Sequence, residues 1–255
     1  AKSDTVALVL PLLVRGYHPY VSEKFAGLKQ AILDQGWRIW EYPYGPGRND
    51  RLDLECLNVD MNKAAEAIAA RQEIGGVIAG ASLAKELRQL FGPEIPMVAV
   101  DPTPDCHFVG YNWLEEAASG IRILLQRGCR RIWCYQGNSE EELLPLLPPG
   151  TAGNLKIHPP RQMSCLLSEI TAAAYQTARQ ELSANSYDGV MVFSDFEAQG
   201  VLDALASLNL PKEKLPQVLA LVNRKSRIVT SLPVIRLVAD GEEEGRREAQ
   251  LFFQL

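Results

Sequence analysis

The chain runs to 255 residues, 47% hydrophobic and 22% charged, with a formal net charge of −5. That length holds one large domain or two smaller lobes with a core each, and the acidic balance excludes the basic field that nucleic acid or an anionic membrane surface requires. No apolar stretch approaches the ~20 residues of a membrane span.

The opening Ala1-Lys2-Ser3-Asp4 carries neither an initiator Met nor a signal peptide, so the sequence reads as starting after a removed segment. One cassette then recurs: an apolar β-type run, a Gly, Pro or small polar residue, and an amphipathic helix. Thr5–Leu10 leads into a loop and a helix over Tyr20–Gly36, with Phe25, Leu28, Ile32 and Leu33 on one face. Arg38–Trp40 is followed by the turn-rich Tyr42–Asp50, where no regular element is expected. A helix over Met61–Gln72 aligns Met61, Ala64, Ala65 and Ile68, and Gly76–Ile78 and Pro96–Val100 read as strands. Leu114, Ala117, Ile121, Leu124 and Leu125 share a helix face, and Gly36 and Gly128 stand where C-caps belong. Arg131–Tyr135 and Gly189–Phe193 are further strands, separated by a second turn-rich stretch at Pro145–Gly153. Asp195–Ala198 starts a helix, with Asp195 free to cap it and Glu197 favourable to its dipole; Val201, Leu202 and Leu205 continue its face. Glu140–Glu142 and Glu242–Glu244 read as solvated faces or helix starts.

Strands apolar on both faces, alternating with helices, imply α/β architecture with parallel sheets covered on both sides. Cassettes fall on either side of residue 111, which predicts two doubly wound lobes rather than one broad sheet. Ligands bind such sheets beyond the carboxyl ends of the strands, so function is sought in the loops that follow them. The cysteines (Cys56, Cys106, Cys129, Cys134, Cys165) form no CxxC pair and read as inert thiols of a reducing cytoplasm. His18, His107 and His158 lack partners at metal-ligand spacing, so neither a metal nor another cofactor is expected. No GxGxxG follows a strand, and neither a Walker-type loop nor a Gly-x-Ser-x-Gly elbow occurs, so an enzyme is not the first reading.

Val6–Pro11 with Tyr20–Leu28, Gly75–Gly80, Ile95–Asp101, Phe108–Asn112, Ala117–Gly128 with Arg130–Gly137, Tyr187–Asp195 with Ala198, Gly200 and Leu205, and Leu232–Arg236 follow one another in a familiar order. In that order and spacing the chain resembles the effector-binding domain of the lactose-repressor/galactose-repressor family of bacterial transcription regulators, which is similar to periplasmic sugar-binding proteins. The resemblance implies a type I periplasmic-binding-protein-like fold with a ligand cleft at the crossover. The first lobe would comprise residues 1–111 plus about 239–255, and the second 112–238. The chain departs from the family pattern at Ser194-Asp195, where Asn-Asp is usual, and at Val222-Asn223, where Asp-Asp is usual. After the Gly137-Asn138 loop the family's sugar-gripping arginine is missing from Ser139–Pro149. A planar five-donor guanidinium is not replaced by carboxylates without changing what is bound.

The candidate ligand-binding residues follow strands. Arg15, Tyr17, His18 and Tyr20 of the first loop offer donors and aromatic faces, or are solvated loop tips. Asp101 offers a carboxylate to hydroxyls, or bonds its own turn; the resemblance favours ligand contact. Tyr111, Asn112 and Trp113 lie at the crossover. Asn112 reads as ligand group and helix cap together, and Trp113 as the filling of a hydrophobic seam. Asn138, Ser194, Asp195, Phe196 and Asn223 complete the set; Asp195 reads equally as an N-cap, and Arg224 as a substitute cation. The function implied is ligand sensing and dimerisation in a cytoplasmic regulator. It would bind a sugar or sugar derivative, act as a homodimer, and reach DNA only through a module missing from this chain, with no membrane partner. The alternatives are a periplasmic solute-binding protein of a transport system and an α/β enzyme without a recognisable motif.

Overall fold

The computed structural model describes residues 3–11, 19–44, 61–70, 73–100, 106–110, 112–135, 140–158 and 167–255. Contacts divide the chain into two units, Ala1–Tyr111 with Asp240–Leu255, and Asn112–Ala239.

The first unit begins with β1 (Thr5–Pro11), α1 (Pro19–Asp34), β2 (Arg38–Tyr44), α2 (Met61–Ala69), β3 (Gly76–Ala79), α3 (Ala81–Phe91), β4 (Met97–Ala99) and β5 (His107–Phe108). Its five strands are parallel, in the order β2-β1-β3-β4-β5. Alternation along β1 sends Val6 and Leu8 to one face, against Phe25, Leu28 and Ile32 of α1. Ala7 and Val9 go to the other face, with Ala65 and Ile68 of α2 and Leu83 and Leu87 of α3. A strand buried on both sides has to be apolar at every position, which is the run read from the sequence.

The second unit contains α4 (Trp113–Gln126), β6 (Ile132–Tyr135), α5 (Glu140–Leu143), β7 (Leu155–His158), α6 (Leu167–Ala184), β8 (Gly189–Val192), α7 (Asp195–Ser207), β9 (Gln217–Asn223) and β10 (Val234–Ala239). Its sheet is again parallel, in the order β10-β9-β8-β6-β7. Trp133, Val190 and Val218 pack against α6 and α7 through Ala174, Ala178, Val201 and Leu205. Cys134, Met191 and Leu219 pack against Ala117, Ile121 and Leu124 of α4. Counted within its own unit, each sheet has the strand order 2-1-3-4-5, in which the order of strand addition reverses between the adjacent first and third strands.

The last helix, α8 (Gly241–Gln254), belongs to the first unit and lies along α1. Their backbones touch: a Cβ on Gly245 would fall 1.8 Å from the Lys24 carbonyl oxygen, and one on Gly27 2.0 Å from that of Glu242. Gly36 and Gly128 end α1 and α4 with φ of 75° and 92°. In each case the glycine N–H and the next N–H bond back to two carbonyls of the last turn, closing a Schellman motif.

The structure corrects several local expectations. β2 continues through Tyr42-Pro43-Tyr44, where a loop is expected; it is an edge strand, which tolerates a proline with no N–H to donate. α2 stops at Ala69 rather than Gln72. The turn-rich stretch around Pro145–Gly153 contains two short 3-10 turns, Leu144–Leu146 and Ala152–Asn154. α3, β7, α6 and β10 are regular elements that the cassette reading does not name. β7 and β10 escape it as sheet edges, where half-buried residues break the apolar run.

Candidate functional site

The crevice rule directs attention to the carboxyl ends of the strands, above all beside the reversal point. In the second unit that edge carries Phe193, Ser194 and Asp195 after β8, and Asn223 and Arg224 at the end of β9. The strands pair directly, so Ser194, Asp195, Phe196 and Asn223 are brought together. The Asp195 carboxylate accepts the Asn223 backbone N–H at 3.2 Å and, through its other oxygen, the Asn223 side-chain amide. A carboxylate has room for about four hydrogen bonds, and these bonds fix its orientation while leaving acceptor capacity for a hydroxyl. Asn223 is buried, whereas Ser194, Asp195 and Phe196 are half-buried.

The cap of α7 is Ser194, not Asp195. The Ser194 hydroxyl accepts the Glu197 N–H at 3.3 Å and donates to the Glu197 carboxyl at 2.9 Å. Ser194-x-x-Glu197 is a capping-box spacing, so this pairing was legible. Its consequence was not. Burial pushes the Glu197 carboxyl up to about 7, and the Ser194 bond only partly offsets it. Desolvation therefore outweighs the helix dipole that the sequence reading credits with favouring this charge. Thr171 of α6 donates to the Phe196 carbonyl at 3.1 Å and ties the start of α7 to its neighbour.

The remaining candidates scatter. Tyr20 is buried and its hydroxyl donates to Glu244 of α8, so the structure gives it a packing role in the first unit. Asn112 caps α4, accepting the Glu115 N–H at 3.1 Å, and is exposed. Trp113, the first residue of α4, is 41% exposed. Arg15, Tyr17, His18, Asp101, Tyr111 and Asn138 lie outside the described residues.

Sequence reasoning missed a buried ionic cluster next to Tyr20. The Lys24 ammonium meets Glu244 and Glu248 at 2.7 Å each and donates to the Val100 carbonyl, just beyond β4, at 3.2 Å. Burial pulls the ammonium down, but Glu248 and Glu244 more than reverse this and hold it above its ordinary value. Glu244 is accordingly not a solvated face residue; with Glu242 and Glu243 it lies in the first turn of α8, so the helix-start reading of Glu242–Glu244 is the one that holds. Among the thiols, burial pushes Cys134 up to about 12, in keeping with an inert side chain, and raises Cys129 as well. Cys56 and Cys165 lie outside the described residues. Among the described residues no group of three His, Cys, Asp or Glu side chains could hold a metal ion, and no helix is long and apolar enough to cross a membrane.

No family model matches the chain, and no curated protein matches it. Solved structures do. A regulator from Bifidobacterium animalis subsp. lactis, described as LacI family, superposes with a TM-score of 0.74 at 14% identity, over 100% of this chain and 90% of that one. The LacI-family regulator CCPA of Weissella paramesenteroides, with bound glucose, gives 0.71 at 14% identity over 98% and 92%. The lac repressor dimer bound to operator and the anti-inducer ONPF gives 0.71 at 14% identity over 99% and 86%.

The fold is that of the LacI-family regulators.

The resemblance read from the sequence is thus borne out as architecture: paired parallel α/β sheets, matched over the whole chain. Within that LacI-type frame, Ser194, Asp195, Glu197 and Asn223 are the described side chains gathered at a carboxyl edge where such sheets take ligands.

Proposed function

We propose that the chain is the effector-sensing domain of a transcriptional regulator. It binds a carbohydrate-like molecule at the carboxyl ends of its strands and controls a DNA-binding module outside this sequence. The observation that carries this reading is Asp195, a carboxylate oriented by Asn223 at the ends of β8 and β9. Carboxylates that keep free lone pairs suit vicinal hydroxyls, which donate in pairs. The glucose in one structural neighbour supports the ligand class, and the operator-bound dimer supports both the regulatory role and pairing of two copies. The protein then works as a non-enzymatic switch: an effector shifts its conformational equilibrium only by binding one state better than another.

A thermal-shift screen of sugars, sugar phosphates and nucleosides tests the ligand class. A specific ligand at a hundred-fold excess over Kd adds roughly 2.7 kcal/mol to apparent stability. With the hit in hand, Asp195→Asn should weaken binding about tenfold in calorimetry while the fold persists. Unchanged affinity would remove Asp195 from the site. Asp101→Ala is expected to act in the same direction. Silence from every sugar and sugar derivative would overturn the carbohydrate reading.

A further inference from the structure

The geometry points to a second binding site in the same unit, for an amphiphilic anion: an aromatic body bearing a phosphate or carboxylate. It lies in a cavity of about 350 Å³, within the size range of small-molecule sites. Its residues precede the strands instead of following them. Arg131 stands just before β6, Tyr187 and Asp188 just before β8, and Pro216 just before β9. Asp195 and Asn223 occupy the opposite edge of this sheet. A four-residue strand such as β8 separates the two edges by about 13 Å. The cavity is therefore distinct from the proposed effector site and stands or falls independently of it.

The floor is apolar: Leu182 and Leu205 are buried, Leu210 is half-buried, and all three pack in the cluster around Trp133. Tyr187 forms a wall, its ring stacked on the buried Trp133 indole with centroids 6.3 Å apart. The Tyr187 hydroxyl is committed to Glu181, which also accepts from Lys156 and Asn185, so the wall offers a ring and no free hydroxyl. Arg131 places its guanidinium 5.7 Å from the Tyr187 centroid, and Lys214 adds an ammonium to the lining. Neither cation has a carboxylate partner among the described residues. The Asp188 carboxylate accepts backbone N–H groups of Arg130 and Arg131 at 2.8 to 2.9 Å, which holds it against the backbone; it and Glu213 are the two carboxylates that oppose the two cations of the lining. An apolar floor takes the body of the ligand. A forked guanidinium with an ammonium beside it takes the anion.

The probes are 1-naphthyl phosphate and 1-naphthoate, titrated into the intact chain and followed by amide proton–nitrogen spectra, with 1-naphthol and inorganic phosphate as separate halves. Saturable shifts at Arg131, Tyr187 and Lys214, weaker for either half alone, are expected. Arg131, Glu213 and Lys214 are exposed, so their substitution leaves the fold in place. Arg131→Gln and Lys214→Gln should each weaken binding roughly fivefold, and Glu213→Gln should tighten it roughly twofold. The site is refuted if neither aromatic anion saturates by about 5 mM, or if the two cation variants bind as the parent does. It is equally refuted if the shifts centre on Ser194 and Asn223. Inorganic phosphate binding as well as its naphthyl ester would make this a bare anion site and overturn the amphiphile.

Discussion

At the scale of one residue, Glu197 has the clearest consequence. It is 6% exposed, and its folded value of about 7 lies above the ordinary 4.5. An acid raised in the folded state binds its proton more tightly there than in the unfolded chain. Between pH 4.5 and 7 the unfolded chain has released that proton while the folded one retains it. Stability therefore falls as pH rises through this window and is flat in this contribution above it. The whole effect is of order 3 kcal/mol. Glu197→Gln should abolish it, leaving the variant as stable as the parent near pH 4 and more stable near pH 8. Denaturant titrations at both pH values check this; equal stabilities at pH 8 would mean that the carboxyl is not desolvated as its burial requires.

At the scale of elements, the α1–α8 contact governs how the last helix is held in the first unit. Glycines 27 and 245 let the backbones touch, and the charges of Lys24, Glu244 and Glu248 are buried beside them. Removing one partner from such a cluster leaves uncompensated charge in a low-dielectric interior. Lys24→Met should thus cost roughly 3–5 kcal/mol, and adding Glu248→Gln should recover part of the loss. Chemical denaturation measures both variants. A double variant less stable than the single one would show that the cluster is held by shape rather than charge. Because the ammonium is raised, its contribution is complete below 10.5 and is lost only as pH climbs through the higher folded value.

At the scale of the molecule, the charge distribution argues against DNA binding by these residues alone. The net charge is −5, and one of the two arginine doublets is paired with carboxylates. Arg246 and Arg247 pair with Glu242 and Glu243 along α8. A chain of net negative charge gives non-specific affinity for a polyanion little source. A gel shift at physiological salt should show no sequence-selective retention; sub-micromolar binding by the isolated chain would require the division of labour to be redrawn. Light scattering at micromolar concentration should give twice the 28.2 kDa chain mass, since closed two-fold pairing is the commonest assembly. A monomer only would count against the dimer.

The amino-acid sequence by itself determined the architecture. Runs such as Val6–Val9 and Val190–Val192, short, Val-rich and apolar at successive positions, suit strands covered on both faces. Gly36 and Gly128, at the ends of periodic stretches, mark where the chain must take a positive φ. Part of the candidate site was legible as well, because the residues after β8 and β9 sit at fixed places in any such sheet. What those side chains do was decided by the tertiary structure. Whether Ser194 or Asp195 caps α7 depends on Asn223, 28 positions away, drawing the aspartate to the neighbouring strand. Tyr20 looked available for a ligand until α8 brought Glu244 to its hydroxyl. The acidity of Glu197 and the salt bridges of Lys24 depend on how much water packing excludes. Local pattern carries periodicity and turn chemistry. Desolvation and partner choice are set by residues distant in the chain, so they exist only once the fold has formed.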